Sequence, residues 1–328
     1  MNTNGIPEVA GNAALLRELR LMKTGAHLPH ALLLHGPAGC GKKLLAKWFS
    51  MLVLCEHASE APCGICRNCR LIAEEAHPDV LYAEHSGKKG GFSVDTVRRI
   101  RGEAAILPNN GDMRIFLFTD ADEMSIQAQN ALLKSVEEPP AHACFVFTAE
   151  TVGALLPTLL SRMTAEAVCP VTTAECEAEL CKAGFSAAEA QSASARFGGN
   201  IGKCLNYLRD AAMQQAVETA SALTEALAVQ NEYEMLRLLT ASASDKDTLR
   251  QTLSLFDLQL RDAAVLSLEG DLPRLGCDAP AARALAAKYS PRRLMKMHGA
   301  VTEAFADLDG NVGAVLTVSA LTAALMAC

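Results

Sequence analysis

The stretch ALLLHGPAGCGKKLLAK, residues 31–47, decides the fold of the first half of the chain. Its apolar start, Ala31–His35, is typical of a short buried strand, and the apolar segment Leu44–Leu54 is typical of a helix. Between them lies a loop of the form G-x-x-x-x-G-K, whose backbone amides and following helix N-terminus bind phosphate groups. The loop residues that we predict to bind a nucleotide are Gly36, Gly39, Gly41, Lys42 and Lys43.

Lys43 departs from this loop pattern. A Ser or Thr is expected after Lys42, because its hydroxyl binds the Mg²⁺ that accompanies a nucleotide, whereas an ammonium cannot ligate a metal. Two interpretations therefore stay open. The loop binds a nucleotide, with Lys42 reaching the β- and γ-phosphates, or it persists only as a structural turn.

Three more short apolar runs predict strands at Val80–Ala83, Ile115–Thr119 and Cys144–Thr148. Because each is followed by a polar turn or a helix, we predict a parallel sheet that is covered on both faces. After Pro170 the sequence is rich in Ala, Leu, Glu and Gln and predicts helices, of which two short ones lie in Thr172–Arg196.

The composition is that of a folded globular protein. Of 328 residues, 50% are hydrophobic, and 30 Lys and Arg stand against 37 Asp and Glu, for a net charge of -7. This excludes disordered and fibrous classes and argues against a free zinc-dependent DNA-binding protein, which needs a basic face. Length and the change after Pro170 predict three domains: an α/β domain over 1–168, a small helical domain over 169–207 and an all-helical domain over 208–328.

The two termini lack targeting features. No basic segment leads into an apolar run near Met1, so no secretory signal is predicted. The apolar stretch Val312–Cys328 is shorter than the roughly 20 residues that cross a bilayer, and it predicts a buried terminal helix. We therefore predict a cytoplasmic protein in reducing surroundings, with no membrane partner.

Four of the twelve cysteines cluster in CEHASEAPCGICRNC, residues 55–69, with the spacing C-x7-C-x2-C-x2-C. Clustered cysteines in a reducing compartment are typical of metal ligands, and four thiolates with no open position make a structural tetrahedral zinc site. Free buried thiols are the alternative, and His57 is a competing ligand for the position of Cys55. The predicted zinc ligands are Cys55, Cys63, Cys66 and Cys69.

Five motifs in combination resemble the clamp-loader AAA+ family of bacterial DNA polymerase III, over about residues 30–163. They are HALLLHGPAGCGKK, the cysteine cluster, HPDV at 77–80, NALLKSVEEPP at 130–140 and LLSR at 159–162. The resemblance implies an α/β P-loop domain of the RecA-like AAA+ kind with a parallel sheet, followed by a small helical lid and an all-α collar. These three parts agree with the division at 168 and 207.

The resemblance also implies a damaged ATPase site. Aligned on NALLKSVEEPP, the two acidic residues that hold Mg²⁺ in the family's motor subunits fall on Thr119 and Asp120. The family's sensor arginine, counted from GNI at 199–201, falls on Gly202, next to Lys203. The three departures are Lys43, Thr119 and Gly202, and each weakens metal binding or charge stabilisation in the transition state. ATP or ADP binding is therefore compatible with the sequence, whereas ATP hydrolysis by this chain is not expected.

The pair Ser161 and Arg162 is retained, followed by Met163 where the family has cysteine. In the family this pair ends a helix that faces the neighbouring subunit's ATP, so the resemblance implies that Arg162 supplies charge to that γ-phosphate as an arginine finger. The alternative is that Arg162 only pairs with a surface carboxylate.

The implied function is a non-hydrolysing subunit of a DNA polymerase holoenzyme in DNA replication. Its implied partners are gamma/tau motor subunits and the clamp-opening delta subunit in a five-subunit ring, with indirect contact to the sliding clamp and primer–template DNA. The alternative is a gamma/tau-like ATPase that hydrolyses ATP itself, which the intact loop glycines and Lys42 favour.

Overall fold

The protein divides into two compact units, Met1–Val171 and Thr172–Cys328. Its computed structural model describes residues 9–25, 28–85, 91–268, 276, 279–310 and 312–328. The separate lid and collar within the second unit stay a prediction.

The first unit is a five-stranded parallel sheet in the order β2-β3-β4-β1-β5. Its strands are β1 (Ala31–His35), β2 (Val80–Tyr82), β3 (Arg114–Phe118), β4 (Ala143–Ala149) and β5 (Thr164–Ala167). Its helices are α1 (Ala13–Thr24), α2 (Lys42–Leu54), α3 (Arg67–Ala73), α4 (Val94–Ala104), α5 (Ile126–Glu137) and α6 (Pro157–Leu160). All five strands therefore end at one edge of the sheet, where the glycine loop follows β1.

Both faces of this sheet are buried, which is why its strands are apolar runs without alternation. Leu32 and Leu34 of β1 pack on one face with Phe49 of α2, while Leu33 packs on the other. On that second face Phe118 of β3 stacks on a β4 phenylalanine, with ring centroids 4.9 Å apart. The α/β class and the parallel sheet expected from the sequence are confirmed.

Strand β5 was not expected, because its sequence TAEA carries no apolar run. It lies at the edge of the sheet, pairs only with β1 and is half exposed along its length. An edge strand needs few apolar side chains, since only one flank and part of one face are covered.

The second unit is all-helical in the part that the structure describes. Its helices are α7 (Thr173–Lys182), α8 (Ala187–Phe197), α9 (Ile201–Arg209), α10 (Ala211–Ala228), α11 (Glu232–Ser242), α12 (Lys246–Ser267), α13 (Ala279–Lys288), α14 (Pro291–Asp309) and α15 (Ala314–Ala327). Capping boxes at Thr172 and Ser186 start the two short helices expected there. Helix α15 buries one face, including Val318 and Leu321. Within the described residues, no helix has the length and apolarity to cross a membrane.

Candidate nucleotide and metal sites

The glycine loop has the backbone of a phosphate-binding loop. Gly36, at the end of β1, has φ +152°, and a Cβ there would lie 2.1 Å from the carbonyl oxygen of Val168. Gly39 and Gly41 both have φ 85°, in the region that favours glycine. Gly41 starts α2 without a side-chain cap, as expected where a ligand takes the place of a capping side chain. The conformation of the loop thus accounts for all three predicted glycines.

Lys42 lies inside this loop and is 6% exposed. Its Nζ donates hydrogen bonds to the carbonyl oxygens of Gly36, at 2.6 Å, and Pro37, at 3.0 Å. The ammonium is therefore held by the backbone of the loop that is predicted to bind phosphate.

Lys43 points across the end of the sheet to the residues that follow β3. Its Nζ lies 2.5 Å from Oδ2 of Asp120. Asp120 has a left-handed backbone, φ 57°, and its N–H donates to Oγ1 of Thr148 at 2.9 Å. Thr148 is buried in β4, the strand next to β3, so the backbone of Asp120 is anchored to the sheet. The structure thus joins two predicted site residues, Lys43 and Asp120, as an ion pair.

Thr119 lies beside this pair and contacts a histidine. Its Oγ1 is 3.4 Å from Nε2 of His85, whose Nδ1 is 3.5 Å from a carboxylate oxygen of Glu123. A Mg²⁺ ion beside Asp120 would need oxygen ligands there, but an ammonium occupies the carboxylate and a neutral hydroxyl replaces the second acid. These residues therefore do not fit a Mg²⁺ ion.

The cysteine cluster forms a second, separate site, between the end of α2 and the start of α3. The Sγ atoms of Cys55, Cys63, Cys66 and Cys69 all lie within 4.8 Å of one another, and all four residues are buried. Sulfurs placed about 2.3 Å from a tetrahedral zinc lie roughly 3.8 Å apart, so this donor set fits a metal ion. All four predicted ligands are brought together, in position to bind a metal ion.

Hydrogen bonds within the cysteine cluster favour the thiolate form that binds a metal. The N–H groups of Cys63, Cys66 and Cys69 each donate to the sulfur of the preceding ligand, at 3.3–3.4 Å. Nδ1 of His57 lies 3.2 Å from the Cys63 sulfur, so His57 supports a ligand and does not replace Cys55. Although burial raises the pKa of Cys63, the hydrogen bonds from His57 and from backbone amides lower it to about 6. Burial raises the pKa of the Cys69 thiol, which is the cost that a bound cation offsets.

Arg162 follows α6 and contacts the end of α5. Its Nη2 lies 2.8 Å from Oε1 of Glu137, and its Nη1 donates to the Thr158 carbonyl at 2.6 Å and to Oγ of Ser161 at 3.1 Å. In the chain by itself Arg162 thus pairs with a surface carboxylate, as the alternative interpretation expects. Both side chains stay partly exposed, so the guanidinium remains accessible to another subunit.

Residues 11–170 match the family described as DNA polymerase III, delta subunit. The N-terminal unit is therefore similar in sequence to clamp-loader subunits of DNA polymerase III. The delta' subunit of DNA polymerase III from Pseudomonas aeruginosa is 36% identical over 46% of this chain and 46% of its own length. The gamma/tau subunit from Mycobacterium bovis is 33% identical over 47% of this chain and 27% of its own length. The matched segment is thus less than half of either relative.

Among solved structures, a gamma subunit-related protein of Thermotoga maritima aligns over 94% of this chain and 98% of its own, with 18% identity and a TM-score of 0.38. The fold of the clamp-loader AAA+ unit described above rests on the chain's own sheet order and loop conformation.

Three further residues of this AAA+ unit belong to its sites and were not predicted as site residues. Thr148 holds the backbone of Asp120, His85 contacts Thr119, and Glu137 pairs with Arg162. Only Thr148 could have been suspected from the sequence, because it places a hydroxyl near the end of the otherwise apolar run ACFVFTA. His85 and Glu137 reach their partners only through the fold.

Proposed function

We propose that this chain is a delta-prime-like clamp-loader subunit of the DNA polymerase III holoenzyme that does not hydrolyse ATP. In this proposal it acts as a stator in DNA replication. It supplies Arg162 to the ATP site of a gamma/tau motor subunit and joins the delta subunit in a five-subunit ring around primer–template DNA. The family match over residues 11–170 and the similarity to both delta' and gamma/tau subunits support the class of protein.

The contact between Lys43 and Asp120 carries the non-hydrolysing part of the proposal. Hydrolysis of ATP needs Mg²⁺ on the β- and γ-phosphates and a group that positions the attacking water. Here the position of the metal-binding hydroxyl holds an ammonium, and that ammonium lies 2.5 Å from the carboxylate which would serve either task. Losing one such transition-state interaction costs about 10²–10³ in rate, and the chain departs at Lys43, Thr119 and Gly202.

The other parts of the chain have supporting roles in this proposal. We assign the four buried cysteines to a structural Zn²⁺, because four thiolates fill a tetrahedral sphere and leave no position for a reacting water. We assign 169–207 to the lid and 208–328 to the collar that assembles the ring. As a replication subunit the protein acts in the cytoplasm.

The arginine-finger role is tested in a loader reconstituted from this chain and its motor and delta partners. Arg162→Ala should lower DNA-stimulated ATP turnover at the neighbouring site by about 10³-fold, because an arginine finger contributes roughly 10³–10⁵. Arg162→Lys should recover little, since lysine lacks the planar fork of donors.

Two matched controls separate this role from surface charge and from the contact with Glu137. Arg98→Ala removes an arginine that pairs with Asp95 on α4, and Glu137→Gln releases Arg162 but keeps its guanidinium. Both variants should retain ATP turnover. Unchanged turnover in an assembled Arg162→Ala loader would show that Arg162 is only a surface ion pair.

A motor subunit is the second candidate, and the loop itself favours it. Gly36, Gly39 and Gly41 hold the backbone of a competent phosphate-binding loop, and Lys42 lies inside it. Steady-state ATP turnover by the purified chain with Mg²⁺, with and without primed DNA, distinguishes the two. The stator proposal expects no turnover, whereas turnover that Lys42→Ala abolishes would establish a gamma/tau-like motor.

A further inference from the structure

The glycine loop after β1 keeps the backbone of a phosphate-binding loop, but Lys43, at its end, does not fit Mg²⁺. Lys42 and Lys43 are the first two residues of α2, so two positive charges follow the loop glycines directly. In a P-loop with a Ser or Thr at the second position, the cation facing the carboxylate that follows another strand of the sheet is the metal. Here the cation that faces Asp120 is the ammonium of Lys43.

We propose that this loop binds a nucleoside di- or triphosphate without a divalent cation, with the Lys43 ammonium in place of Mg²⁺. The inference rests on the proposed non-hydrolysing function, because an ammonium can neutralise a phosphate but cannot activate a water as a metal does. It extends that proposal by naming the ligand, a nucleoside di- or triphosphate, and by stating that the ligand binds without a divalent metal ion.

The Lys43–Asp120 ion pair is exposed enough for the Lys43 ammonium to turn toward a bound phosphate. The Lys43 side chain is 61% exposed and that of Asp120 is 34% exposed, so the ion pair is solvated and weakly held. A lysine ammonium has three donors, and it can therefore contact a phosphate oxygen while it keeps one hydrogen bond to Asp120. Asp120 itself stays in place, because its N–H is bound to Thr148 on β4.

The surrounding charges favour an anion at this place. Lys42 and Lys43 contribute two positive charges, and Asp120 contributes one negative charge that Lys43 already neutralises. The more distant Glu123 lies beside His85, 3.5 Å from its Nδ1. A divalent cation would have to approach the Lys43 ammonium, and this like-charge contact opposes its binding.

The test measures ADP and ATP binding to the full chain by titration calorimetry, once with excess Mg²⁺ and once in buffer stripped of metals by a chelating resin. A free chelator is avoided because it would compete for a metal on the cysteines. The expected result is one dissociation constant for each nucleotide that changes by less than about threefold between the two buffers, a difference well under 1.4 kcal/mol.

Variants identify the group responsible. Lys43→Thr restores the hydroxyl of a metal-binding loop, so it should bind nucleotide roughly tenfold more weakly without metal and regain affinity when Mg²⁺ is added. Lys42→Ala should lose binding in both buffers. The matched control is Lys47→Thr. Lys47 lies on the same helix, but its ammonium pairs with Glu75, outside the loop, so this variant should bind nucleotide like the native chain.

Two results would overturn the inference: no heat of binding for either nucleotide in either buffer, or binding by the native chain that requires Mg²⁺. Neither result touches the proposed stator, which needs only Arg162 in the assembled loader. Conversely, ATP turnover by the native chain would overturn the stator proposal, while the metal independence of binding would still be decided by the calorimetry.

Discussion

The two edges of the parallel sheet hold their charges in opposite ways. At the amino-terminal edge, Asp79 precedes β2 and is fully buried, and the side chain of Arg114, the first residue of β3, is 5% exposed. At the carboxyl-terminal edge, Lys43 and Asp120 form an ion pair that is open to solvent.

Most polar atoms of Asp79 and Arg114 form hydrogen bonds with other groups of the chain. Asp79 accepts hydrogen bonds from the backbone N–H groups of Asn109 and Asn110, at 2.7 and 2.6 Å, and from the Asn109 amide. Arg114 donates to the carbonyl and carboxylate of Glu103. Removing one partner of such a buried pair destabilises the fold, whereas a solvated pair contributes little to stability and is available to a ligand. The comparison assigns structure to one edge and function to the other.

The largest loss of stability is expected from changes to the cysteine cluster, which lies beside the amino-terminal edge. A cavity of about 420 Å³ between them is lined by residues of both, among them Cys55, Arg67 and Asn110. Removing the metal, or Cys69→Ser, should lower the unfolding free energy of the first unit by several kcal/mol, below the roughly 10–16 kcal/mol by which zinc folds isolated finger peptides.

The measurement for this and the following predictions is urea unfolding followed by Trp48 fluorescence. Trp48 is the chain's single tryptophan, lies on α2 and is buried, so it reports on the first unit. Metal analysis should find a zinc ion bound to the native chain and none bound to the Cys69→Ser variant. Cys169→Ser, at an exposed cysteine, is the control and should change neither result.

The second largest effect is expected for Asp79→Ala. It removes the acceptor of the Asn109 and Asn110 backbone amides. It also removes one of the two carboxylates near Arg114, while Glu103 remains paired with the guanidinium. Each buried donor left without an acceptor costs about 1–3 kcal/mol. Asp120→Ala is the matched change at the other edge and should cost less than about 1 kcal/mol. Equal losses for the two variants would contradict the distinction between the edges.

A smaller effect is expected from pH. Burial raises the pKa of Asp79, but the hydrogen bonds from Asn109 and Asn110 outweigh it and hold the pKa below its ordinary value. The stability that this carboxylate contributes is therefore complete above about pH 4 and is lost as the pH falls through the folded-state value. Asp79→Asn should flatten this part of the profile. Comparing the two proteins at the same pH cancels the loss of metal in acid, and parallel profiles would exclude the contribution of Asp79.

The smallest effect on stability is expected for Lys43→Ala. The ion pair that it breaks is solvated, so the unfolding free energy should change by less than about 1 kcal/mol. A loss above about 2 kcal/mol in the same urea experiment would mean that this edge also serves the fold, and it would weaken the assignment of Lys43 to ligand binding.

Local sequence was enough for features that depend on neighbouring residues. Strand β1 has the bounds expected from the apolar run Ala31–His35, and the loop glycines adopt the positive φ values that glycine tolerates best. The spacing of the cysteines places their sulfurs on one knuckle, because the two C-x2-C steps set short loops of backbone. Such features need only the conformational preferences of a few adjacent residues.

Contacts between distant parts of the chain were decided by the tertiary structure. Strand β5 exists because β1 offers it an edge, and the carboxylates paired with Lys43 and Arg162 lie on other elements of the first unit. The sequence by itself determined that Lys43 could not ligate a metal, since an ammonium has no lone pair. Only the fold decided that this ammonium meets Asp120, because parallel strands bring their carboxyl ends to one edge irrespective of the distance between them in sequence.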